Sequence, residues 1–563
     1  LVSEWPWLGG MLTAAGVTAP DGNELAAFQT GLWGAFLREL ERRQPGGLHH
    51  GWVSFFTYEP AVGAAIFADW VAALPNLDWR WGHRPRAVQR SCDRITGVEF
   101  DQFSVTAQIT LDGTELGDLL ALGDVPHRWG WESQVQWQEP SAPKSLTDPE
   151  DPLAPAIKQY PVQSPTWVVV MKDYGEGNAA PPIPATGVTT DPFAGAWAGY
   201  GPETFLNYGR LPGDRFMINW PKCGNDYGVG LHRLIESDTA RQAYWQEAKD
   251  HSQQFAHVIQ AELGARYGLA PDMFPDLEGT PGGGAFALYP YYRESRRLVG
   301  LTTVSERDIL PVAGGQVAPL PVDENRVVDA IAIGNYPNDH HYPGFDMPLA
   351  PKAIRWGGRW TGTPFTIPYR ALVPATVDGL LACDKNISVT HIANGATRLQ
   401  PAVLNIGQAA GAAAALCVQQ TCQPRELSVQ LFQTTLLTAQ APAMVVPCFD
   451  LLPDTPDWST QQQNYLSSPE TYPTSGFTDA LESVPVMSTA FRNNQGEQFQ
   501  GRYQQEQDNS HRLTTENHTW GLVAVSPMAV HQMMQLTSNS AVMATGVPNL
   551  GGNWILLNEI RQL

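Results

Sequence analysis

Apolar residues recur at helical spacing over residues 24–43 (Leu25, Phe28, Leu32, Phe36, Leu40), which predicts an amphipathic helix. Residues 59–74 predict a second helix. Residues 237–268 predict the longest one, with Ala243, Ala248, Phe255, Val258, Ile259 and Leu263 on its apolar side and an end near Gly268. Over residues 88–111 apolar and polar positions alternate in short runs broken at Gly97 and Gln102, the pattern of an antiparallel hairpin or meander. Residues 1–4 read as the end of a short strand running into the turn Leu8-Gly9-Gly10. Residues 139–215 are rich in Pro and Gly and read as irregular apart from one strand at 167–171, while 293–307 and 326–333 read as strands. Residues 379–418 stand apart as an apolar strand, a polar loop and a helix of small residues opened by Pro401. Beyond Cys422 the chain turns to Gln, Thr and Pro. From Phe477 onward it reads as short strands with turns at Gly496, Gly501 and Gly551-Gly552. No repeat of solenoid or propeller period is present.

Length and composition narrow the class. At 563 residues the chain predicts two to four domains, and 43% hydrophobic against 16% charged residues excludes disorder. The net charge of −21 argues against a nucleic-acid partner. No unbroken apolar run approaches the roughly 18–20 residues of a bilayer span, so no membrane partner is expected. The six cysteines include no C-x-x-C pair, so neither a zinc site nor a redox dithiol is suggested. The chain opens on Leu1 with no signal-like segment after it, which suggests missing upstream residues. Compartment and oligomeric state stay open, with a soluble, slightly cytoplasmic character favoured.

The densest chemistry lies at Leu380-Leu381-Ala382-Cys383-Asp384, an apolar strand ending in an acid. Sixteen residues past Asp384, Gln400-Pro401 opens a helix. Proline suits the first helical turn because its missing N–H had no partner there. Ala409, Ala410, Gly411 and Ala412 allow close packing on a sheet, and the helix N-terminus offers unpaired N–H groups to an anionic ligand. An ordinary Ala-rich core helix is the plainer alternative.

These residues resemble the FAD-dependent oxidoreductase family related to the succinate dehydrogenase and fumarate reductase flavoproteins, in its "xanthan lyase-like" branch. The family's closing segment stands here as Asp384, Thr390-His391, Thr397-Arg398 and Gly407-Gln408-Ala409-Ala410-Gly411. Glu4 with Gly9-Gly10-Met11-Leu12-Thr13 resembles the end of the second strand of a Rossmann unit, where an acid binds the adenosine ribose and a glycine turn approaches the cofactor. Asp112-Gly113-Thr114-Glu115-Leu116-Gly117-Asp118 and Arg293-Glu294-Ser295-Arg296-Arg297 resemble two further blocks of the family. The resemblance implies FAD as cofactor. It implies binding by Glu4, Gly9, Gly10, Thr13, Gly117, Asp118, Asp384, Arg398, Gln400 and Pro401, with Asp384 on the ribitol or pyrophosphate and the Pro401 helix start beside the flavin.

A dinucleotide-binding unit also needs a first strand and a G-x-G-x-x-G turn about 20 residues before the ribose acid. Only three residues precede Glu4. The nearest substitute, Gly175-Glu176-Gly177-Asn178-Ala179-Ala180, runs into Pro181-Pro182 and cannot open a helix. The expectation is an incomplete chain that binds FAD poorly or not at all, although its full-length parent should bind it.

The fold expected is α/β: a Rossmann-type FAD domain in discontinuous segments, an inserted α+β substrate domain and a small β-rich C-terminal domain. The divisions are 1–138 and 370–425 for the FAD domain, 139–369 for the substrate domain, 426–476 for a linker and 477–563 for the accessory domain. The expected function is hydride transfer between a small organic substrate and the flavin. Arg293, Arg296, His341 and His391 are the catalytic candidates, because arginine can hold a carboxylate and histidine can exchange a proton near neutrality. Salt bridges at the interdomain joint are the alternative for the arginines, and a loop turn or incomplete metal site for His340-His341. A carbohydrate-binding or surface protein, or a non-catalytic flavoprotein remnant, remains the rival function. Trp520 and Trp554 could stack on sugars, as the first of these would need, although core packing is the stronger explanation of such residues.

Overall fold

Two pairs of distant segments run parallel and set the frame. Val2–Ser3 pairs with Arg80–Trp81, and Thr110–Asp112 pairs with Leu380–Ala382. The computed structural model describes residues 1–351, 353–356, 359–478, 496–506 and 510–563. Helices and strands are mixed throughout, compatible with an α/β FAD-binding fold.

One core gathers the helix Gly31–Arg43, the helix Gln400–Gln420, the strand Ala330–Gly334 and the C-terminal barrel. The second is built on an antiparallel sheet of Tyr267–Leu269, Val169–Asp173, Arg215–Ile218 and Arg210–Leu211, covered by the helix Asp238–Leu263. The opening segment staples the two together, with Leu12 in the first core and Met11, Ala14 and Val17 in the second.

The expected meander is present as Pro85–Ser91, Arg94–Phe100 and Ser104–Thr106. The long helix begins at a true cap, where the Ser237 hydroxyl accepts from the Ala240 N–H, worth about 1 kcal/mol. It stops at Gly264 (φ 130), four residues before the glycine expected. The helix predicted over 24–43 starts only at Gly31. There φ is +62, and a Cβ would meet Gln408 Oε1 at 2.5 Å and Asn405 Oδ1 at 2.7 Å. Those two carboxamides accept from the N–H groups of Leu32 (2.8 Å) and Trp33 (3.2 Å), so the Gln400–Gln420 helix caps its neighbour.

The Gln400–Gln420 helix has the length and apolarity of a membrane span, at a mean hydropathy of 1.5. Its Ala409, Ala410 and Ala413 are instead buried in the fold, as small residues that let it approach the neighbouring helix and strand.

Three readings need correction. Residues 426–476 are no bare linker: the helices Val429–Leu437 and Trp458–Ser467 send Phe432, Leu436 and Trp458 into the first core. The 293–307 stretch is extended only at Arg297–Leu298, because its charged side chains turn toward different partners. A short helix, His391–Thr397, capped by Thr390, occupies the expected polar loop. At the C-terminus Glu497–Gln505, His511–Thr514, Thr519–Val523, Trp554–Gln562 and Ala541–Asn549 close a barrel in that spatial order. The barrel is tied to the body by Ala26 N–H to Val525 O (3.0 Å) and Asn549 Nδ2 to Gly51 O (2.8 Å). The first stretch of the β-rich module, 479–495, lies outside the described residues.

Candidate functional site

A cleft of about 740 Å³ opens where the chain's beginning meets the Asp384 strand end. Glu4, Gly9, Gly10, Asp118, Asp384 and Gln400 all line it. Gly9 (φ +102) and Gly10 (φ +51) form the turn, and a Cβ on Gly9 would lie 2.4 Å from the Phe67 ring. Part of the lining is aromatic: Trp5 stacks on Tyr289 (5.4 Å), and Trp245 donates to the Tyr292 hydroxyl.

Carboxyl groups surround this cleft. Burial pushes Glu4 up to about 7, against the lowering influence of Arg84 and Arg241. Burial also raises Asp112 to about 6, although Thr114 hydrogen-bonds it. Lys385 is buried beneath the rim and spans Glu115 (2.5 Å) and Asp384 (3.0 Å). Its burial favours the neutral amine, but the two carboxylates outweigh that and hold the ammonium charged. Asp118 pairs with Arg241 and Arg296, both at 3.1 Å. Arg296 also donates to Leu116 O, and so ties down the 113–118 turn.

Behind the cleft lies a second cluster, made of charges already paired. Arg293 meets Asp226 at 3.1 Å. His341 lies between Asp226 (Nδ1, 2.7 Å) and Asp339 (Nε2, 2.9 Å), and Arg398 meets Asp339 at 3.0 Å. Both ring nitrogens of His341 thus face carboxylates. Burial and Arg293 favour the neutral ring, but Asp339 and Asp226 outweigh them and raise its pKa. Burial likewise favours a protonated Asp226, and the charges of Arg293 and His341 reverse it. Arg293 and Arg398 both approach the Tyr291 ring, at 4.8 and 6.0 Å.

His391 belongs to a third, buried cluster. Its Nδ1 faces Glu294 (2.9 Å) and its Nε2 the Tyr342 hydroxyl (2.6 Å). The same hydroxyl meets His340 Nδ1 (2.9 Å), while His340 Nε2 faces Ile392 O (3.0 Å). The carbonyl can only accept, so His340 must donate from Nε2. Burial and the neighbouring His391 push His340 down to about 3, so it carries that one proton. Its Nδ1 then accepts from Tyr342, and Tyr342 in turn accepts from His391 Nε2.

Of the cofactor candidates, Thr13, Gly117, Pro401 and Arg398 are not among the residues lining the cleft. Thr13 closes its own turn by donating to Leu8 O. Gly117 takes φ +63 to pass Arg296, Pro401 fills the first helical turn, and Arg398 is engaged by Asp339. Of the catalytic candidates, Arg293 and His341 share the ionic cluster, Arg296 buttresses the cleft and His391 is sealed from it. Sequence reasoning misses Asp226 and Asp339; Asp339 stands two positions before His341, whereas no spacing in the chain links Asp226 to the cluster. The aromatic wall of Trp5, Tyr289 and Tyr292 carried no signal apart from ordinary core residues.

The residues present suit a flavin nucleotide. The cleft combines a planar aromatic wall, a glycine turn and the start of a long helix, and Gln400 Oε1 is buried on it without a partner. The sequence model of a protein family described as "FAD dependent oxidoreductase" matches residues 1–436. No curated protein and no solved structure matches the chain.

Proposed function

Because the chain belongs to the FAD-dependent oxidoreductase family, we propose that the cleft is its FAD site, part of a Rossmann-type domain, and that the ionic cluster behind it serves a small organic substrate. One observation carries this reading: the opening turn, the 113–118 turn, Asp384 and the Gln400 helix start, far apart in sequence, line one cavity. FAD, when bound, supplies a hydride acceptor or donor.

The chain's own groups divide the remaining work. Glu4 is placed to accept from ribose hydroxyls and the Gly9-Gly10 turn to let the nucleotide approach closely. Gln400 and the first N–H groups of its helix offer hydrogen bonds to an electron-rich edge. The segment 289–297 connects the two regions, sending Tyr289 and Tyr292 to the cleft and Arg293 to the ionic cluster. In that cluster His341, held charged by two carboxylates, is a proton donor, and Arg293 and Arg398 offset negative charge on a bound acid or on a developing alkoxide. The two aspartates set how much positive charge remains for the substrate.

Titration of the protein with FAD, followed through flavin and tryptophan fluorescence, tests the reading, because Trp5 and Trp245 line the cleft. Saturable quenching that weakens in Gln400→Ala is expected. Quenching absent at all FAD concentrations would overturn it.

A further inference from the structure

Cys417 lies in the last turn of the helix Gln400–Gln420 and Cys422 just past its end. Thr421 takes the left-handed conformation (φ 54, ψ 43). The Cys422 N–H reaches back to Cys417 O at 3.0 Å, and the Thr421 N–H to Val418 O at 3.3 Å. This pair of reversed bonds is the Schellman ending of a helix, which brings the side chain beyond the cap against the one that begins the last turn. Commonly those two side chains are plain hydrophobes. Here both are thiols, and Cys422 is a close enough neighbour to raise the Cys417 thiol. Cys417 is buried and Cys422 half-buried. The familiar redox spacing of two intervening residues is absent, so the pair is invisible to a motif search; the helix ending brings together cysteines separated by four intervening residues.

We propose that Cys417 and Cys422 form a reversible disulfide that clasps the end of this helix, with a hydroperoxide as oxidant. Cys422, the more accessible thiol, attacks the peroxide oxygen as the thiolate, giving a sulfenic acid and releasing hydroxide or alkoxide. The Cys417 sulfur then attacks the Cys422 sulfur, water leaves, and the S–S bond forms with the Cys417 proton transferred to the departing oxygen. Two thiols are oxidised and one peroxide is reduced. Burial, with Cys422 alongside, pushes the Cys417 thiol up to about 12, so Cys417 keeps its proton and the first step falls to the more accessible Cys422. The clasp fastens the far end of the helix whose beginning lines the cleft and whose Asn405 and Gln408 cap the Gly31–Arg43 helix.

The full chain, native, is treated with hydrogen peroxide, denatured, alkylated with N-ethylmaleimide and digested for mass spectrometry. No Lys or Arg separates the two cysteines, so one tryptic peptide carries both. The expected product is that peptide two hydrogens lighter and unalkylated, restored to a doubly alkylated form by dithiothreitol. A thermal midpoint that rises on oxidation of the parent, and not of Cys422→Ser, is expected alongside it. A peptide still doubly alkylated after peroxide overturns the proposal, as does Cys422 driven to sulfinic acid while Cys417 remains a thiol. A link from either cysteine to the exposed Cys92 or Cys223 overturns it equally.

Discussion

The cleft and the ionic cluster lie on either side of residues 289–297, yet they handle charge in opposite ways. Around the cleft, Glu4 and Asp112 have carboxyls raised by burial, and the lysine beneath the rim is already shared by two acids. In the cluster every acid is matched, so Asp226 and Asp339 are pushed down and His341 up. A region that keeps carboxyls near their neutral form can change protonation when a ligand enters. A region of saturated pairs resists titration by the solvent, so His341 keeps its proton until a bound substrate takes it. The contrast teaches that buried ionisable groups in one protein serve two ends, and that pairing decides which.

The largest test breaks the fixed half. Arg293→Met removes a guanidinium 1% exposed and leaves the buried Asp226 carboxylate with His341 as its remaining charge partner. A loss of about 3 kcal/mol in urea unfolding is expected, the lower end for breaking a buried pair, because His341 still answers the charge. Asp226→Asn added to it should recover part of that loss. Recovery of nothing would mean that the two do not act as a pair.

A smaller effect separates the regions by pH. Glu139, fully buried beside Thr390 and Glu306, is raised by burial from 4.5 to about 7. The folded state therefore binds the proton more tightly than the unfolded chain. Its contribution is complete below pH 4.5 and is lost as pH rises through about 7. Glu139→Gln should flatten that fall and leave the variant about 2 kcal/mol more stable than the parent at alkaline pH. Asp226 and Asp339 have the opposite sign: their stabilisation is present above the ordinary carboxylate range and disappears as pH falls through their lowered values. Stability curves of parent and Glu139→Gln that stay parallel from acid to alkaline pH would remove Glu139 from this account.

Gln400→Ala acts on the cleft alone. Its Oε1 has no protein partner, so folding stability should change by under about 1 kcal/mol while FAD affinity falls by about threefold to tenfold. Equal losses in both would make Gln400 a structural residue.

The sequence revealed most where a local rule and the tertiary contact agree. Helical spacing located the 237–268 helix, because Ser237 caps it and its apolar side is the buried one. Alternation located the 88–111 meander, because its pairing is between chain neighbours. Prediction failed where a partner from elsewhere decides. Gly31 starts a helix because side chains more than 370 residues away supply its cap. The 293–296 stretch is irregular because Arg293 and Arg296 answer to Asp226 and Asp118. The same holds at the site. Glu4, Gly9, Gly10, Asp118, Asp384 and Gln400 were legible through their motifs, and they meet on one cleft. Arg398 and His391 lie in equally recognisable motifs but face Asp339 and Glu294, acids that no spacing in the chain connects to them.

The finest distinction between the two regions rests on Glu4. Burial raises its carboxyl to about 7, so it changes charge across neutral pH, where Asp226 and Asp339 stay ionised. As a carboxylate it is a stronger acceptor for ribose hydroxyls than as an acid. FAD affinity should therefore rise by about twofold to fivefold from pH 6 to pH 8, a gain of under about 1 kcal/mol. Glu4→Gln cannot ionise and should bind equally at both, near the acid-limb affinity of the parent. The parent's slope should survive in Asp339→Asn, whose charge lies in the fixed cluster. A parent affinity that is flat with pH would place Glu4 outside the nucleotide contact and leave its ion pair with Arg84 at 3.1 Å as its whole role. A slope abolished by Asp339→Asn would show that the two regions titrate as one.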